Sequence, residues 1–393
     1  MSLMSDKSFK MKMRDVETAF KYRRFPYPKR SVELIALLAI SCTFFLFMHT
    51  NKLNSRLKEM EMKLQPSEFS ALGLTGSNHL DGPKPEDINT LHGTYQYLKS
   101  TGQLERLHPK LLNNTPFSQF DFLFFNRVPK VGSEQLIELI RQLGQVNDFS
   151  VSRAPFSAPV RYHLNEVAQA ELVDELYEMG PSHAHSMHVN FINFRRYDTS
   201  QPIYINLVRD PVERVISWFY YRRTPWSAVQ NYRVTKKFFD DKFYKKDYHD
   251  CVLNADPECV YEQGASFTQT QAQHIRQTLF FCGHDPVCEP FNSYGALQKA
   301  KEIVEHDFAV VGSWEDVNVT LRVLENYIPK YFRGATKLYY DDLAKVKRNS
   351  NNWKPKIRED VKALVRKNFT REYEFYHFCK QRLYRQYFAL DNV

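Results

Sequence analysis

The hydrophobic pattern separates an apolar segment near the start of the chain from a long region in which strand-like and helix-like segments alternate. Residues 34–48 contain no charged residue, and with their flanks they approach the length of a membrane-spanning helix. Apolar runs at 120–126, 202–208 and 308–312 are typical of buried strands, and an amphipathic pattern follows each of them. This alternation predicts an α/β domain with a mainly parallel sheet flanked by helices.

The distribution of charge supports a membrane segment. Residues 1–30 contain nine Lys or Arg against three Asp or Glu, which is +6 of the formal net charge of +9. Because basic residues mark the cytoplasmic side of a span, the chain is expected to be a type II membrane protein. A buried core helix is the alternative for the apolar segment. A basic tail of this kind is unlike the folded basic surface of a nucleic-acid-binding domain, so no nucleic-acid partner is expected.

These features predict four regions. They are a cytoplasmic basic tail over 1–30, a transmembrane signal anchor over 31–50, a stem over 51–99 and a lumenal domain over 100–393. The stem carries a short coiled-coil pattern over 53–64.

The cysteines agree with a lumenal domain. Four of the six form close pairs in the sequence, Cys251 with Cys259 and Cys282 with Cys288. In an oxidising compartment such pairs are expected to be disulfides. A zinc site is the alternative, but the usual CxxC spacing and neighbouring His pair are missing. Glycosylation sequons, which are permitted in the same compartment, occur at Asn113, Asn318 and Asn368.

Two strand-to-helix junctions carry residues that bind anions. At the first, Lys130 supplies a charge, Gly132 allows close approach of the backbone, and Ser133 supplies a hydroxyl where the helix begins. At the second, Arg209 follows a strand and Ser217 lies about two turns into the next helix. An ordinary capped helix or a surface ion pair would explain either junction alone. Together they suit a ligand with phosphate groups at both ends, although the GxxxxGK[ST] pattern of a P-loop kinase is missing.

The segments NRVPKVGS and YINLVRDPVERVIS resemble the cofactor motifs of Golgi sulfotransferases that use 3′-phosphoadenosine 5′-phosphosulfate (PAPS). Specifically, they resemble the heparan sulfate and uronyl 2-O-sulfotransferase family. Further similar segments are HVNFINF, FFCGHDPVC, PKYFRGATKLY and YEFYHF, and the cysteine spacings also match the family's two disulfides. The resemblance implies a P-loop-like PAPS-dependent sulfotransferase fold, no metal, an anionic glycan acceptor, a Golgi membrane location and a homotrimer.

The resemblance also implies roles for individual residues. The loop around the 5′-phosphosulfate would consist of Lys130, Val131, Gly132, Ser133 and Glu134. Arg209 and Ser217 would hold the 3′-phosphate, and Lys130 would stabilise charge on the bridging oxygen. A loosely matching basic loop near the cofactor comprises Lys347, Arg348, Asn349 and Ser350. Family members usually have Ser or Thr within two residues of the loop serine, where this chain has Glu134 and Gln135. Since a carboxylate would repel phosphosulfate, Glu134 is expected to face solvent.

The general base is expected to be a histidine, because a sugar hydroxyl must lose its proton near neutral pH. His188 matches the family's position, with His183 and His185 close by, and Ser186 replaces a second family histidine. A hydrogen-bonded strand histidine and an H-x-H-x-x-H metal site are the alternatives. Basic residues that could hold an anionic acceptor are Arg127, which is the first choice, Arg195, Arg196, Arg222 and Arg223, for which surface solvation is the alternative.

Together with the residues, the resemblance implies a Golgi enzyme that moves a sulfuryl group from PAPS to the 2-hydroxyl of a hexuronic acid. His188 would act as base and Lys130 as charge stabiliser. A non-catalytic glycan-binding protein that retained the fold is the alternative from another class.

Overall fold

The computed structural model describes residues 48–49, 88–118, 120–154, 163–266, 276–341 and 354–392. The predicted cytoplasmic tail, nearly all of the predicted signal anchor and most of the stem lie outside these ranges, as does the basic loop over 347–350. Within the ranges described, no helix combines the length and the apolar character needed to cross a membrane. The signal anchor over 31–50 therefore stays a prediction.

Five parallel strands form one sheet in the order β2-β3-β1-β4-β5. They are β1 (Phe122–Asn126), β2 (Ser150–Arg153), β3 (His183–Met187), β4 (Ile203–Leu207) and β5 (Phe308–Gly312). The three strands predicted from apolar runs are confirmed as β1, β4 and β5. The short β2 and β3 carry Ser, His and Arg instead of an apolar run, and sequence analysis did not predict them.

Helices flank this sheet, as expected. They are α1 (Leu91–Ser100), α2 (Pro109–Leu112), α3 (Ser133–Val146), α4 (Glu166–Glu178), α5 (Pro211–Arg222), α6 (Pro225–Thr235), α7 (Asp241–Lys245), α8 (Tyr248–Leu253), α9 (Thr278–Cys282), α10 (Tyr294–Asp307), α11 (Val317–Tyr327), α12 (Pro329–Phe332), α13 (Ala335–Asp341), α14 (Glu359–Arg366) and α15 (Thr370–Ala389). Short 3₁₀ helices span Leu104–Arg106, Thr115–Phe117, Phe194–Tyr197, Pro286–Cys288, Trp314–Asp316 and Leu390–Asn392.

The folded domain begins before the predicted boundary at residue 100. Thr90 caps α1 by accepting a hydrogen bond from the Gly93 amide at 3.0 Å. Leu98 on the same helix is buried in the main hydrophobic core. Part of the predicted stem is therefore a packed helix of the domain.

Two hydrophobic clusters stabilise the domain. The larger one contains the sheet, and β1 and β5 are buried along their whole length. The smaller one joins α5, α8 and α14 and includes the disulfide Cys251–Cys259. The second predicted disulfide, Cys282–Cys288, is also present. All four of these cysteines are thus joined in the two expected disulfides.

The strand order determines where a ligand can bind. From β1 the chain moves to β2 and β3 on one side and to β4 and β5 on the other. Such a reversal opens a crevice at the carboxyl ends of the strands. The connections after β1, β3, β4 and β5 all begin at this edge. Buried asparagines join two of the strand ends, since the Asn206 side-chain amide donates to the Asn126 carbonyl at 2.8 Å.

Candidate functional site

The loop between β1 and α3 has an unusual backbone conformation. Lys130 and Gly132 both have positive φ angles, of 67° and 89°. A Cβ atom at Gly132 would lie 2.0 Å from Cδ1 of Trp314, and the Trp314 indole donates a hydrogen bond to the Gly132 carbonyl at 2.7 Å. Glycine is therefore required here by a packed indole and by the φ angle. Sequence analysis had assigned it only to the approach of an anion.

Lys130 lies on the inner side of this loop. Its Nζ is 4.0 Å from the centroid of the Tyr221 ring. Burial, with the positive charge of Arg209 as a second cause, lowers the pKa of Lys130 to about 8. The Arg209 guanidinium donates to the Lys130 carbonyl at 3.1 Å. The two predicted anion-binding junctions therefore meet in the fold.

Arg209 is held from two sides. The Gln277 side chain accepts from the Arg209 amide at 3.4 Å and donates to the Arg209 carbonyl at 3.1 Å. The next residue, Asp210, caps α5 by accepting from the Glu213 amide at 2.8 Å, and the Tyr373 hydroxyl donates to its carboxylate at 2.9 Å. These contacts fix the backbone that carries the guanidinium. The two predicted serine ligands, Ser133 and Ser217, are both buried. Ser133 is the first residue of α3, and Ser217 lies in the middle of α5.

Glu213 lies in the first turn of α5, four residues after Arg209, and is surrounded by cations. Its carboxylate pairs with Lys354 and, at 2.9 Å, with Lys362. Although burial opposes the shift, these two lysines lower the pKa of Glu213 to about 2. The predicted basic loop over 347–350 lies outside the described residues. Lys354, four residues after it, pairs with Glu213, whose carboxylate is 4.0 Å from Nη2 of Arg209.

His188 follows β3 and lies beside the end of β1. Its Nδ1 is 2.9 Å from the Arg127 carbonyl oxygen. Because a carbonyl can only accept, Nδ1 carries the proton and Nε2 keeps its lone pair in the neutral ring. Burial, reinforced by the Arg127 guanidinium, lowers the pKa of His188 to about 3. The imidazole is therefore neutral at physiological pH, as a proton acceptor must be.

The other two histidines of the H-x-H-x-x-H pattern form a separate cluster. The Ser152 hydroxyl is 2.6 Å from Nε2 of His183 and 2.7 Å from Nδ1 of His185. Both hydrogen bonds connect neighbouring strands, β2 and β3. Since His188 contacts Arg127 instead, the three side chains do not converge on a common point.

Glu134 does not face freely into solvent, in contrast to the expectation. Its carboxylate is 2.6 Å from Nη1 of Arg127 and 2.9 Å from Nη1 of Arg153. Burial alone would raise the pKa of Glu134, but the two guanidinium groups outweigh it and lower the pKa. Arg127, the first choice for gripping an acceptor carboxylate, is thus already paired with a carboxylate of the chain itself.

Comparison with known proteins agrees with this arrangement. A profile described as the Sulfotransferase family matches residues 114–379, which include the sheet and the whole crevice. The chain belongs to the sulfotransferase family.

Several relatives refine this assignment. The uronyl 2-sulfotransferase homolog pip of Drosophila melanogaster is 46% identical, in an alignment covering 100% of this sulfotransferase and 96% of the relative. Human uronyl 2-sulfotransferase is 28% identical over 74% of this chain and 68% of its own. Heparan sulfate 2-O-sulfotransferase 1 of Xenopus laevis is 30% identical over 65% and 69%. The resemblance to the heparan sulfate and uronyl 2-O-sulfotransferase family is confirmed, and the relatives include the insect member Pipe.

The other arginines suggested for acceptor binding each pair with a carboxylate of the chain. Arg195 pairs at 2.7 Å with Asp307, which directly precedes β5 and so lies at the opposite edge of the sheet. Arg196 pairs with Glu166 at the start of α4. Arg222 and Arg223 lie at the end of α5, and both pair with Glu258, at 3.6 and 2.7 Å. Among the five candidates, Arg127 contacts His188 through its carbonyl.

Several residues that shape the site were missed by sequence analysis. They are Arg153, Tyr221, Gln277, Trp314 and Tyr373. Each comes from a different segment of the chain from the residue that it contacts, at separations from 19 positions for Arg153 to 182 for Trp314. A signal existed for two of them, because Trp314 follows closely on the strand pattern of 308–312 and Tyr373 begins the segment YEFYHF that resembles the family.

Proposed function

We propose that this protein transfers a sulfuryl group from PAPS to the 2-hydroxyl of a hexuronic acid in a glycan. The observation that carries the proposal is the pairing of His188 with the backbone of the loop that leads to Lys130. It combines a neutral imidazole with a buried ammonium group at adjacent strand ends. The names of the human and Xenopus relatives, a uronyl 2-sulfotransferase and a heparan sulfate 2-O-sulfotransferase, support this reaction class.

The crevice has donors that fit a ligand with an anion at each end. Lys130 and the N-terminus of α3 suit a phosphosulfate, because helix N-terminal amides and an ammonium group favour negative charge. Arg209 and Ser217 suit a second phosphate, and the hydrogen bond from Arg209 to the Lys130 carbonyl connects the two ends. PAPS would supply the activated sulfuryl group and carries the additional 3′-phosphate. The loop residues Val131, Gly132 and Ser133 would contact it through the backbone.

Two residues of the chain would accept the proton of the acceptor and stabilise the charge of the leaving group. The Nδ1–H group of His188 donates to the Arg127 carbonyl. Nε2 is therefore unprotonated and would accept the proton of the sugar hydroxyl. Lys130 would stabilise the negative charge that develops on the leaving phosphate oxygen. A buried ammonium group suits this role because its charge acts in a medium of low polarity.

The cellular setting belongs to the same proposal. The two disulfides support folding in an oxidising compartment. Two sequon asparagines, Asn318 and Asn368, are exposed, and Asn113 is partly exposed. We propose a type II anchor over 31–50 that places the domain in the Golgi lumen. A glycosaminoglycan or a glycoprotein glycan would be the acceptor, and a homotrimer the assembly.

A non-catalytic glycan-binding protein is the second candidate, and the carboxylate of Glu134 in the phosphosulfate loop is the feature that favours it. Full-length protein is incubated with radiolabelled PAPS and a panel of defined glycans. Wild type should transfer label, whereas His188→Ala and Lys130→Ala should not. His306→Ala, which removes an exposed histidine of α10, is the matched control. Absence of transfer to every glycan, with glycan binding retained, would favour the second candidate.

A further inference from the structure

One ion-pair cluster lies beside the base, and the proposed reaction gives it no role. Glu134, in the first turn of α3, accepts hydrogen bonds from Arg127 at 2.6 Å and from both terminal nitrogens of Arg153, at 2.9 and 3.2 Å. Arg127 begins the loop after β1, and Arg153 ends β2. Two guanidinium groups from separate strands therefore converge on one carboxylate.

The cluster lies next to the position where an acceptor must bind. The Arg127 carbonyl accepts a hydrogen bond from Nδ1 of His188, and the Arg127 guanidinium donates a hydrogen bond to Glu134. Only 7% of the Arg127 side chain is exposed, compared with 37% for Glu134 and 26% for Arg153. Glu134 occupies Nη1 of the buried guanidinium, so an external carboxylate would have to displace Glu134 to bind that nitrogen.

Arginine suits a carboxylate because its guanidinium presents parallel donors to two oxygens, as Arg153 does toward Glu134. The chain itself supplies that carboxylate. An internal group also has no translational entropy to lose, so it competes effectively with an acceptor from solution.

We propose that Glu134 is a specificity-determining residue that occupies an acceptor-carboxylate subsite formed by Arg127 and Arg153. It lowers the affinity for uronate carboxylates beside His188. The favoured acceptors are therefore glycans whose recognition depends little on the carboxylate nearest the reacting hydroxyl. This inference rests on the proposed function and names the acceptor class for the same site.

The test measures binding of full-length protein to unsulfated chondroitin and to carboxyl-reduced chondroitin, with the desulfated cofactor present. Wild type is compared with Glu134→Gln and Glu134→Ser, which remove the charge, and with Glu134→Asp, which keeps it. Glu138→Gln is the matched control, because Glu138 lies one turn further along α3 and pairs with Arg141 at 2.7 Å. Sulfate transfer is measured in parallel.

We expect both neutral variants to bind the carboxylated polymer about tenfold more tightly, the scale of one gained charge-assisted hydrogen bond. Their affinity for the carboxyl-reduced polymer should not change, and Glu134→Asp and Glu138→Gln should behave as wild type. An equal gain for both polymers, or the same gain in Glu138→Gln, would show a general charge effect and overturn the proposal. So would failure of both neutral variants to fold, since Glu134 would then be structural.

The binding result is separable from the proposed reaction. A selective gain in carboxylate affinity without any sulfate transfer would support the subsite and reject the transferase. Transfer by wild type without a selective gain in the neutral variants would do the reverse.

Discussion

The contact between Gly132 and Trp314 permits a quantitative test of how the phosphosulfate loop is held. In Gly132→Ala, the new Cβ atom would lie 2.0 Å from Cδ1 and 2.8 Å from Nε1 of Trp314. Carbon atoms normally approach to about 3.5–4.0 Å, so the indole must move by more than 1 Å. Movement on this scale would weaken the hydrogen bond to the Gly132 carbonyl and the stacking of Trp314 on Tyr339, whose ring centroid is 5.6 Å away.

Three costs contribute to the effect of this substitution. The positive φ of 89° costs an alanine roughly 1–2 kcal/mol. Loss of the hydrogen bond costs about 1 kcal/mol, and the displaced indole roughly 1–2 kcal/mol through overpacking and lost stacking. Gly132→Ala should therefore destabilise the domain by about 3–5 kcal/mol. In a Trp314→Ala background only the backbone cost remains, roughly 1–2 kcal/mol.

A double-mutant cycle separates these contributions. The free energy of unfolding of the full-length protein is measured by denaturant titration for wild type, both single variants and the double variant. The double variant should be more stable than the sum of the single effects by about 2–3 kcal/mol. Affinity for the desulfated cofactor should fall in Gly132→Ala and recover in part in the double variant. Additivity within about 0.5 kcal/mol would show that Trp314 does not hold the loop.

Four further predictions concern the site and the domain boundary. His188→Ala should reduce sulfate transfer by about 100-fold or more while the desulfated cofactor binds normally, and near-normal transfer would exclude His188 as the base. Arg209→Ala should weaken PAPS and its desulfated product alike in calorimetry, whereas a loss confined to the acceptor would refute the anchor role. Because the pKa of Lys130 is lowered to about 8, kcat/KM for PAPS should fall above that pH as Lys130 loses its charge. The Lys130→Arg variant should not show this alkaline fall. The same pH profile of kcat/KM in wild type and Lys130→Arg would contradict the role of Lys130. A secreted chain starting at residue 84 should be active. A chain starting at residue 101 should be less stable by about 2 kcal/mol or more, because it loses the burial of Leu98. Equal melting temperatures of the two chains would show that α1 is dispensable.

Much of the fold was predictable because three of its strands are both apolar and buried. The strands β1, β4 and β5 appear in the sequence as continuous apolar runs, and the helices that follow them carry an amphipathic repeat. By contrast, β2 and β3 were not predicted. Their residues include the hydrogen-bonded set Ser152, His183 and His185, whose polar atoms are satisfied only across the two strands. A polar strand of this kind has no periodic signal.

The sequence by itself determined the composition of the site: a lysine, a glycine and a serine at one helix start, an arginine at another, and a histidine within the segment HAHSMHVNF. These are local features, because helix starts and strand ends depend on neighbouring residues. Tertiary structure alone decided which groups meet. It placed Trp314 on Gly132, Gln277 on Arg209, and Glu134 between Arg127 and Arg153. The physical reason is that such contacts join residues as many as 182 positions apart, and no short-range pattern of hydrophobic and polar residues encodes their distance or direction.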